Sequence, residues 1–158
     1  MNNKDLKFQT TELLSDDEKL QIMELWNCEY PINLMHADLV SFEKYLDSLE
    51  NPKHFLIKIK ERIVGWGTIF TRNQEKWFAI ILSSFLHGQY IGTSLMEQIK
   101  MEENLLYGWV IDHEKDIKIN GMPYRSPLNF YVNQGFTVLF DQRLDLSTIS
   151  AVKIVWVR

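Results

Sequence analysis

The stretch WFAIILSSFLHGQYIGTSLM, residues 77–96, joins an apolar strand pattern to a helical pattern through a loop with two glycines. The continuous apolar run WFAIIL (77–82) predicts a buried central strand. Apolar side chains then recur at helical spacing and predict a helix over 91–102. The loop between them is either a phosphate-binding turn or only a tight turn between two elements.

The residues of this loop fit both interpretations. A helix N-terminus offers unpaired N–H groups and a partial positive charge, which suits a phosphate. Gly88 and Gly92 would let the backbone come close to a ligand, and Thr93 and Ser94 add hydroxyl groups. The spacing matches neither GxxxxGK(S/T) nor GxGxxG, so two glycines by themselves favour the plain turn.

The patterns on either side of this stretch predict an alternation of strands and helices. Strands are predicted at 5–13, 54–60, 63–70, 77–82, 105–111, 136–144 and 151–157, and helices at 16–29, 37–49, 91–102 and 126–134. This order predicts one α+β domain over residues 1–158, with a mixed sheet of about six to seven strands flanked by about four helices.

Several helix boundaries are marked by single residues. Ser15 and Glu18 have the spacing of a capping box, which predicts a helix start. The pair Asn51-Pro52 predicts the end of the second helix. Ser126-Pro127 predicts a helix with Ser126 as the N-cap and the proline in its first position. Gly135 fits the left-handed position that follows a helix.

Composition limits the class of protein. The chain has 158 residues, of which 46% are hydrophobic and 24% charged, and its formal net charge is −4. This balance disfavours a broad nucleic-acid surface, which needs clustered Lys and Arg. No apolar run reaches the roughly 18–20 residues that cross a bilayer, and the N-terminus lacks a signal-peptide pattern. We therefore expect a cytoplasmic protein with neither membrane nor nucleic-acid partners.

The cysteine and histidines give no sign of a metal centre. Cys28 is the only cysteine in the sequence, so an intrachain disulfide is not possible. His36 and His54 lack metal-ligand spacing to other histidines, cysteines or acids. The sequence predicts a protein without a metal ion.

Three segments together carry a resemblance to a known family. HGQYIG (87–92) has His87 and Gly92 at the first and last positions of a loop pattern that ends in a small residue, with Tyr90 in place of a glycine. KERIVGWGTI (60–69) has a charged turn followed by I-V-G. SPLNFYVNQGF (126–136) has the form A-x-x-x-Y-x-x-x-G-F, with Pro127 in place of the small residue at its first position. In this order and spacing, the chain resembles the GNAT superfamily of N-acetyltransferases.

The resemblance implies a GNAT-like acyl-CoA N-acyltransferase fold that binds acetyl-CoA where the fourth and fifth strands separate. The main chain of the fourth strand, at Ile80, Ile81 and Leu82, would pair with the pantetheine arm. The loop would hold the pyrophosphate through His87, Gly88, Gln89, Tyr90, Ile91, Gly92 and Thr93.

The resemblance also assigns catalytic roles. Tyr131 corresponds to the general acid that protonates the leaving thiolate, and a backbone N–H near Leu82 would hold the oxyanion. Asp112 and His113, just past the fifth strand, are candidates for the general base, as is a water bound to strand backbone. Residues around Trp26, Tyr30, Met35 and His36 correspond in position to a region that lines the acceptor pocket.

The function predicted on this basis is transfer of acetyl from acetyl-CoA to a primary amine, on a small molecule or a protein, by direct attack. An alternative is a non-catalytic domain of the same fold that binds or senses acyl-CoA, which the substitution at Tyr90 motivates. A third is an interaction domain that binds no CoA. Since family members often dimerise, the resemblance is also compatible with a homodimer.

Overall fold

A computed structural model describes residues 5–158, and these form one seven-stranded sheet with four α-helices. The strands are β1 (Leu6–Thr11), β2 (Glu50–Ile59), β3 (Arg62–Arg72), β4 (Glu75–Leu82), β5 (Leu105–Val110), β6 (Thr137–Asp145) and β7 (Ser150–Val157). The helices are α1 (Asp16–Glu29), α2 (Leu39–Asp47), α3 (Ile91–Met101) and α4 (Leu128–Asn133). The predicted element order and mixed sheet are confirmed.

The strands lie in the order β1-β2-β3-β4-β5-β7-β6. Strands β1 to β4 form an antiparallel meander, and β5, β7 and β6 form a second antiparallel set. The two sets meet at β4 and β5, which run parallel to each other. This junction is where the sheet changes its connectivity, and it lies next to the loop that follows β4.

Helices cover both faces of the sheet. Helices α1 and α2 pack on one face through a cluster that includes Ile22, Trp26 and Phe42 on the helices and Trp66 and Trp77 on the strands. Helices α3 and α4 pack on the other face, where the buried residues include Leu95, Met96, Ile99, Tyr131 and Phe136. The sheet is therefore the middle layer, and its centre is shielded from water on both sides.

The first helix starts as its sequence predicts. The Glu18 N–H donates to the Ser15 hydroxyl at 3.1 Å, and the Glu18 carboxylate accepts from the Ser15 N–H at 2.9 Å. Asp16, Asp17 and Glu18 place negative charge in the first turn, where the helix dipole stabilises it. This capping box fixes the direction in which α1 crosses the sheet.

The predicted end of α2 is wrong, because the chain enters β2 earlier than the proline suggests. Helix α2 ends at Asp47, and β2 begins at Glu50, before the Asn51-Pro52 pair. The register of β2 against β3 shifts between Glu50 and Lys53. Proline has no N–H to donate to a ladder, so this irregularity accommodates Pro52 inside the strand.

The two ends of α4 differ in how well the sequence predicts them. Pro127 occupies the N-cap, and the Ser126 hydroxyl lies one position further out, so the predicted Ser126 cap is wrong. That hydroxyl donates to the Ile111 carbonyl at 2.6 Å and accepts from the Leu128 N–H at 3.3 Å, which ties the helix start to the end of β5. At the other end, Gly135 has φ +91°, which confirms the predicted left-handed position.

Candidate active site

Strands β4 and β5 pair only near their beginnings and then separate. They pair only at Trp77 and Tyr107, although β4 continues to Leu82 and β5 to Val110. Beyond this point, the edge of β4 that faces β5 has no strand partner among the described residues. A separation of parallel strands leaves unpaired backbone groups that an extended ligand can join.

The free edge of β4 is formed by alternate residues. The Ser83 N–H donates to the Val64 carbonyl of β3 at 2.9 Å. Because backbone groups alternate in direction along a strand, those of Leu82 and Ile80 point the other way, towards the separation. Ile81 instead directs its backbone at β3 and its buried side chain at the α1–α2 layer.

Side chains already approach both outward carbonyls of β4. The Ile80 carbonyl accepts from the Tyr30 hydroxyl at 3.3 Å. The Leu82 carbonyl lies 3.0 Å from His87 Nε2, and since a carbonyl only accepts, this ring nitrogen carries the proton. His87 thus faces back onto the strand, within reach of the same edge that the pantetheine arm was predicted to use.

The loop after β4 presents unpaired backbone donors at the start of α3. Among the described residues, the Ile91, Gly92 and Thr93 N–H groups make no well-formed hydrogen bond to a backbone acceptor, while the Ser94 N–H bonds to the Tyr90 carbonyl at 3.1 Å. Such N–H groups and the helix dipole form an anion-binding position. The loop therefore has the geometry of a phosphate cradle as well as of a turn.

Two residues of the loop adopt left-handed backbone conformations. Gly88 has φ +78°, with open space where a Cβ would lie. Tyr90 has φ +62° and is the N-cap of α3, and its side chain is 83% exposed. The tyrosine bulk projects into solvent, so it leaves the backbone accessible. The left-handed φ gives a physical reason why glycine suits this position.

Gly92 also has a packing role that the sequence did not predict. A Cβ at Gly92 would lie 3.3 Å from the Phe130 ring and 3.9 Å from a Leu82 methyl group. The missing side chain therefore makes room for helix α4 and strand β4, and this packing brings α3 close to both. Its effect on a bound pyrophosphate would be indirect, through the position of the helix start.

The remaining loop residues are fixed by local contacts. Ile91 is buried in the core. The Gln89 side-chain amide donates to the Phe85 carbonyl at 3.0 Å. The Thr93 hydroxyl accepts from the Gln134 amide at 3.1 Å, which joins α3 to the residue that caps α4. The structure thus brings the predicted residues 87–93 together in one loop and helix start.

Tyr131 lies in α4 with its ring in the core, 7% exposed. Its ring centroid is 5.6 Å from that of Phe78 on β4. It is also 5.6 Å from that of Phe136, the residue directly before β6. The Phe136 N–H donates to the Tyr131 carbonyl at 3.1 Å, and the Gly135 N–H donates to the Val132 carbonyl at 3.0 Å. These two bonds form a Schellman motif, which holds the short helix and its tyrosine in place.

Two further tyrosines come close to Tyr131. The Tyr30 and Tyr124 rings meet edge to face, with centroids 6.4 Å apart, and the Tyr30 hydroxyl reaches the β4 edge. Burial raises the pKa of Tyr131 above its usual value, and the nearby Tyr124 raises it further. Burial raises the pKa of Tyr30 and of Tyr124 as well. All three phenols are therefore protonated donors at neutral pH.

Asp112 is held by an arginine that sequence reasoning missed. Arg143 Nη1 and Nη2 donate to the two Asp112 carboxylate oxygens at 2.8 and 3.1 Å. These hydrogen bonds lower the pKa of Asp112, and the charge of Arg143 adds to the effect. A carboxylate paired in this way is a weak proton acceptor. No pattern in the sequence connects these two residues, which are far apart along the chain.

His113 is also engaged. Its Nδ1 accepts from the Lys115 N–H at 3.1 Å, and its Nε2 faces the Asp116 carboxylate at 3.9 Å. The acceptor nitrogen of the neutral ring is therefore already used by the backbone. His113 borders two surface depressions of about 260 Å³ each, one formed with the β6–β7 turn and one with the start of α4.

The polar segment 112–125 folds into a small hairpin. Ile117 bridges to Pro123, the Lys118 N–H donates to the Met122 carbonyl at 2.9 Å, and the Tyr124 N–H donates to the Asp116 carbonyl at 2.9 Å. We call residues 116–124 the 116–124 hairpin. It carries Tyr124, an aromatic residue in a polar segment, and that contrast is the one sequence signal that could have identified it as part of the site.

Other predicted features lie away from this centre. Trp26 donates its indole N–H to the Leu34 carbonyl at 2.7 Å, and with His36 and Phe42 it forms an aromatic cluster beneath α1 and α2. Met35 is 44% exposed. Of the residues predicted to line an acceptor pocket, Tyr30 is the one that reaches the β4 edge. Within residues 5–158, no cluster of metal-ligand side chains is found, and no helix is long and apolar enough to span a membrane.

Comparison with known proteins agrees with this geometry. Residues 19–104 match the model of the acetyltransferase (GNAT) family. No curated protein matches the sequence. Among solved structures, an aminoglycoside 6'-N-acetyltransferase complexed with coenzyme A is 12% identical, with 96% of each chain covered and a TM-score of 0.70.

Two further structures share the fold. An aminoglycoside 6'-acetyltransferase type Ii is 13% identical, with 94% of this chain and 96% of that chain covered and a TM-score of 0.67. An acyl-CoA N-acyltransferase from Pseudomonas aeruginosa is also 13% identical, with coverage of 95% and 98% and a TM-score of 0.65. At these identities the likeness concerns the fold, and the family model carries the assignment to a family.

Proposed function

This chain belongs to the GNAT acetyltransferase family, and we propose that it transfers acetyl from acetyl-CoA to a primary amine by direct attack. The observation that carries the proposal is the separation of β4 from β5 next to a helix start with unpaired N–H groups. An extended thioester arm and a pyrophosphate need these two features at that relative position.

The loop and the strand edge would divide the binding of acetyl-CoA between them. The N–H groups at the start of α3 would hold the pyrophosphate, supported by His87, Gly88 and Gln89 and by the left-handed turn at Tyr90. The free edge of β4, at Ile80 and Leu82, would bond the pantetheine amides. For this, His87 Nε2 would leave the Leu82 carbonyl, which lies 3.0 Å away, and turn to the phosphates.

The reaction would take place between β4 and Tyr131. The neutral amine attacks the thioester carbonyl carbon, the C–S bond breaks, and the amine gives up a proton. The Leu82 N–H points into the separation and would stabilise the oxyanion that develops on the carbonyl. The Tyr131 hydroxyl, kept protonated by burial, would protonate the departing thiolate.

The proton of the attacking amine needs an acceptor. Asp112 and His113 are the side-chain candidates, and both are engaged, one by Arg143 and the other by the Lys115 N–H. A water bound at the β4 edge is the base that these contacts favour, since it needs no side chain to be released. Asp112 then serves to fix the end of β5 through its ion pair with Arg143.

A second candidate function is a domain that binds acyl-CoA without turnover. The observation in its favour is that Asp112 and His113 both use their proton-accepting atoms within the protein. Release of free thiol from acetyl-CoA, measured with a panel of amines, separates the two. The panel should include aminoglycosides, because two structures of the same fold carry that name, along with polyamines and peptide N-termini.

The two candidates give different results in this assay. Amine-dependent thiol release that exceeds the rate of spontaneous hydrolysis supports the transferase. Saturable binding of acetyl-CoA with no thiol release for any amine class would favour the binding domain. Absence of binding would contradict both.

A further inference from the structure

Glu29, the last residue of α1, connects two parts of the site through one carboxylate. Its Oε2 accepts from the Ser84 N–H at 2.5 Å, and its Oε1 accepts from Lys118 Nζ at 3.0 Å. The Glu29 and Lys118 side chains are only 10% and 14% exposed. Ser84 begins the loop that leads to residues 87–93, and Lys118 belongs to the 116–124 hairpin.

The hairpin depends on the end of α1 for its position. The Ile32 N–H, just past that helix, donates to the Ile117 carbonyl at 2.8 Å. Tyr124, at the other end of the hairpin, packs on Tyr30 of the same helix end. The ion pair between Glu29 and Lys118 lies between these two contacts, so the hairpin is fixed against α1 at three places along its length.

We propose that Glu29 is a positioning residue that couples occupancy of the 83–93 loop to the order of the 116–124 hairpin. This inference rests on the proposed function, because the ligand of the loop is the phosphate end of acetyl-CoA. When that ligand draws the loop towards the start of α3, the Ser84 N–H and the Glu29 carboxylate become more ordered. Lys118 then holds the hairpin, with Tyr124, in one position beside Tyr131 and the acceptor.

The coupling has a thermodynamic consequence. If an occupied loop stabilises the ordered hairpin, an ordered hairpin must tighten binding at the loop by the same factor. Opening of the hairpin is measurable, because its backbone N–H groups exchange with solvent when it opens. A plain structural ion pair would slow this exchange equally with and without ligand.

The experiment measures amide hydrogen exchange in peptides that cover 116–124. The probe is adenosine 3'-phosphate 5'-diphosphate, the half of CoA that lacks the pantetheine arm. At saturation we expect exchange of the hairpin amides to slow by about fivefold or more in the unmodified protein, as typical couplings give. Lys118→Met should abolish this slowing while it preserves the bond from Ser84 to Glu29.

Two further variants serve as controls. Lys118→Arg retains a cation and should keep the ligand-dependent slowing. Lys53→Met removes a lysine from a partly exposed ion pair with Glu102 elsewhere on the molecule, and it should leave the slowing unchanged. Glu29→Gln should weaken both the hydrogen bond from the Ser84 N–H and the ion pair with Lys118. If that variant does not fold, Lys118→Met still provides the test.

The outcomes distinguish this inference from the proposed function. Acetyl-CoA that fails to bind the unmodified protein would overturn both. A probe that protects residues 87–93 but leaves exchange at 116–124 unchanged would overturn the coupling and leave the proposed function standing. If the probe still slows amide exchange at 116–124 in Lys118→Met, the loop and the hairpin are coupled through other contacts. That result would also overturn the role of Glu29.

Discussion

The Tyr131 hydroxyl is the group on which the proposed chemistry most depends. Its ring is buried between Phe78 and Phe136, and burial raises its pKa, so the hydroxyl carries its proton at neutral pH. An aromatic residue at this point in a helical pattern is otherwise a core residue. The structure places its ring in the core, where burial and the nearby Tyr124 raise its pKa, and the catalytic role of its hydroxyl remains a proposal.

The first prediction concerns this hydroxyl. Tyr131→Phe should lower kcat by about 10²- to 10⁴-fold, the usual contribution of a general acid. The dissociation constant for acetyl-CoA, measured by isothermal titration, should remain close to that of the unmodified protein, because the ring still packs. Tyr45→Phe is a matched control, since Tyr45 is a partly buried tyrosine that packs against the α1–α2 layer. Equal turnover in Tyr131→Phe and Tyr45→Phe would remove Tyr131 from the acid role.

A second prediction tests the left-handed backbone at Tyr90. Tyr90→Gly should leave acetyl-CoA affinity unchanged and keep or raise the melting temperature, because glycine adopts φ +62° without strain. Tyr90→Val should lower the free energy of unfolding by about 1 kcal/mol or more, since a β-branched residue is strained there. Differential scanning calorimetry of both variants measures the difference. A valine variant as stable as the glycine variant would contradict the described loop geometry.

At this scale, the sequence predicts residues that act through their own type or through a local motif. The family resemblance of segment 126–136 pointed to Tyr131. The family resemblance of the loop between the fourth strand and the next helix pointed to residues 87–93. Glu29, Lys118 and Arg143 could not be found in this way. Each acts through a partner brought close only by the folded sheet, and a charged side chain in a sequence is usually just exposed to solvent.

At the scale of elements, the packing of α3 against α4 explains the glycine at position 92. Because a Cβ there would lie 3.3 Å from the Phe130 ring, any side chain must move the ring or the helix. The start of α3, with its unpaired N–H groups, would move with it. The glycine would thus affect the proposed phosphate site through the packing of two helices.

A third prediction follows from this contact. Gly92→Val should destabilise the protein by about 1–3 kcal/mol, as overpacking typically does, and should weaken acetyl-CoA binding in parallel. The double variant Gly92→Val/Phe130→Leu should recover part of both losses, because the smaller side chain relieves the crowding. Urea denaturation and isothermal titration measure the two quantities. A double variant no better than the single one would show that Gly92 acts directly on the ligand.

Sequence patterns predicted the helices and strands well where the spacing of apolar residues and the capping residues indicate the same boundary. The capping box of α1 and the left-handed Gly135 were both confirmed. The predicted end of α2 and the predicted N-cap of α4 were wrong. Both predictions used the usual positions of proline at helix boundaries, and in both cases the surroundings of the proline decide its position instead. Pro52 fits inside a strand because the ladder shifts there, and Pro127 caps a helix because Ser126 bonds to the end of β5.

At the scale of the whole molecule, the two faces of the sheet differ in polar content. The α1–α2 face buries His54, which accepts from the Trp66 indole N–H at 3.1 Å and is 3% exposed. Burial lowers the pKa of His54 from 6.5 to about 4, although the charge of Glu18 opposes this. The folded protein therefore holds this ring neutral, while the unfolded chain protonates it near its ordinary pKa.

The fourth prediction is the resulting dependence of stability on pH. The contribution of His54 is fully present above about pH 6.5 and is lost progressively as the pH falls towards about 4. His54→Gln keeps an acceptor for the Trp66 N–H but does not titrate. Its free energy of unfolding, from urea curves at several pH values, should therefore fall less steeply over this window than that of the unmodified protein. Identical slopes would contradict a buried neutral His54.

The overall architecture was predictable because it follows from local patterns and their order along the chain. Alternating strands and helices, and the long apolar run of β4, were enough to predict a mixed sheet flanked by helices. The chemistry was less predictable. It depends on where β4 and β5 separate and on which side chains line that separation, and both are set by long-range packing.

The most direct test of the central claim is a calorimetric titration of the protein with acetyl-CoA, with ATP and NAD as controls for general phosphate binding. We expect saturable binding of acetyl-CoA at one site, much tighter than that of either control, with a loss of affinity in Gly92→Val. Binding of all three at equal strength, or of none, would contradict the assignment of residues 87–93 as the pyrophosphate site of an acetyltransferase.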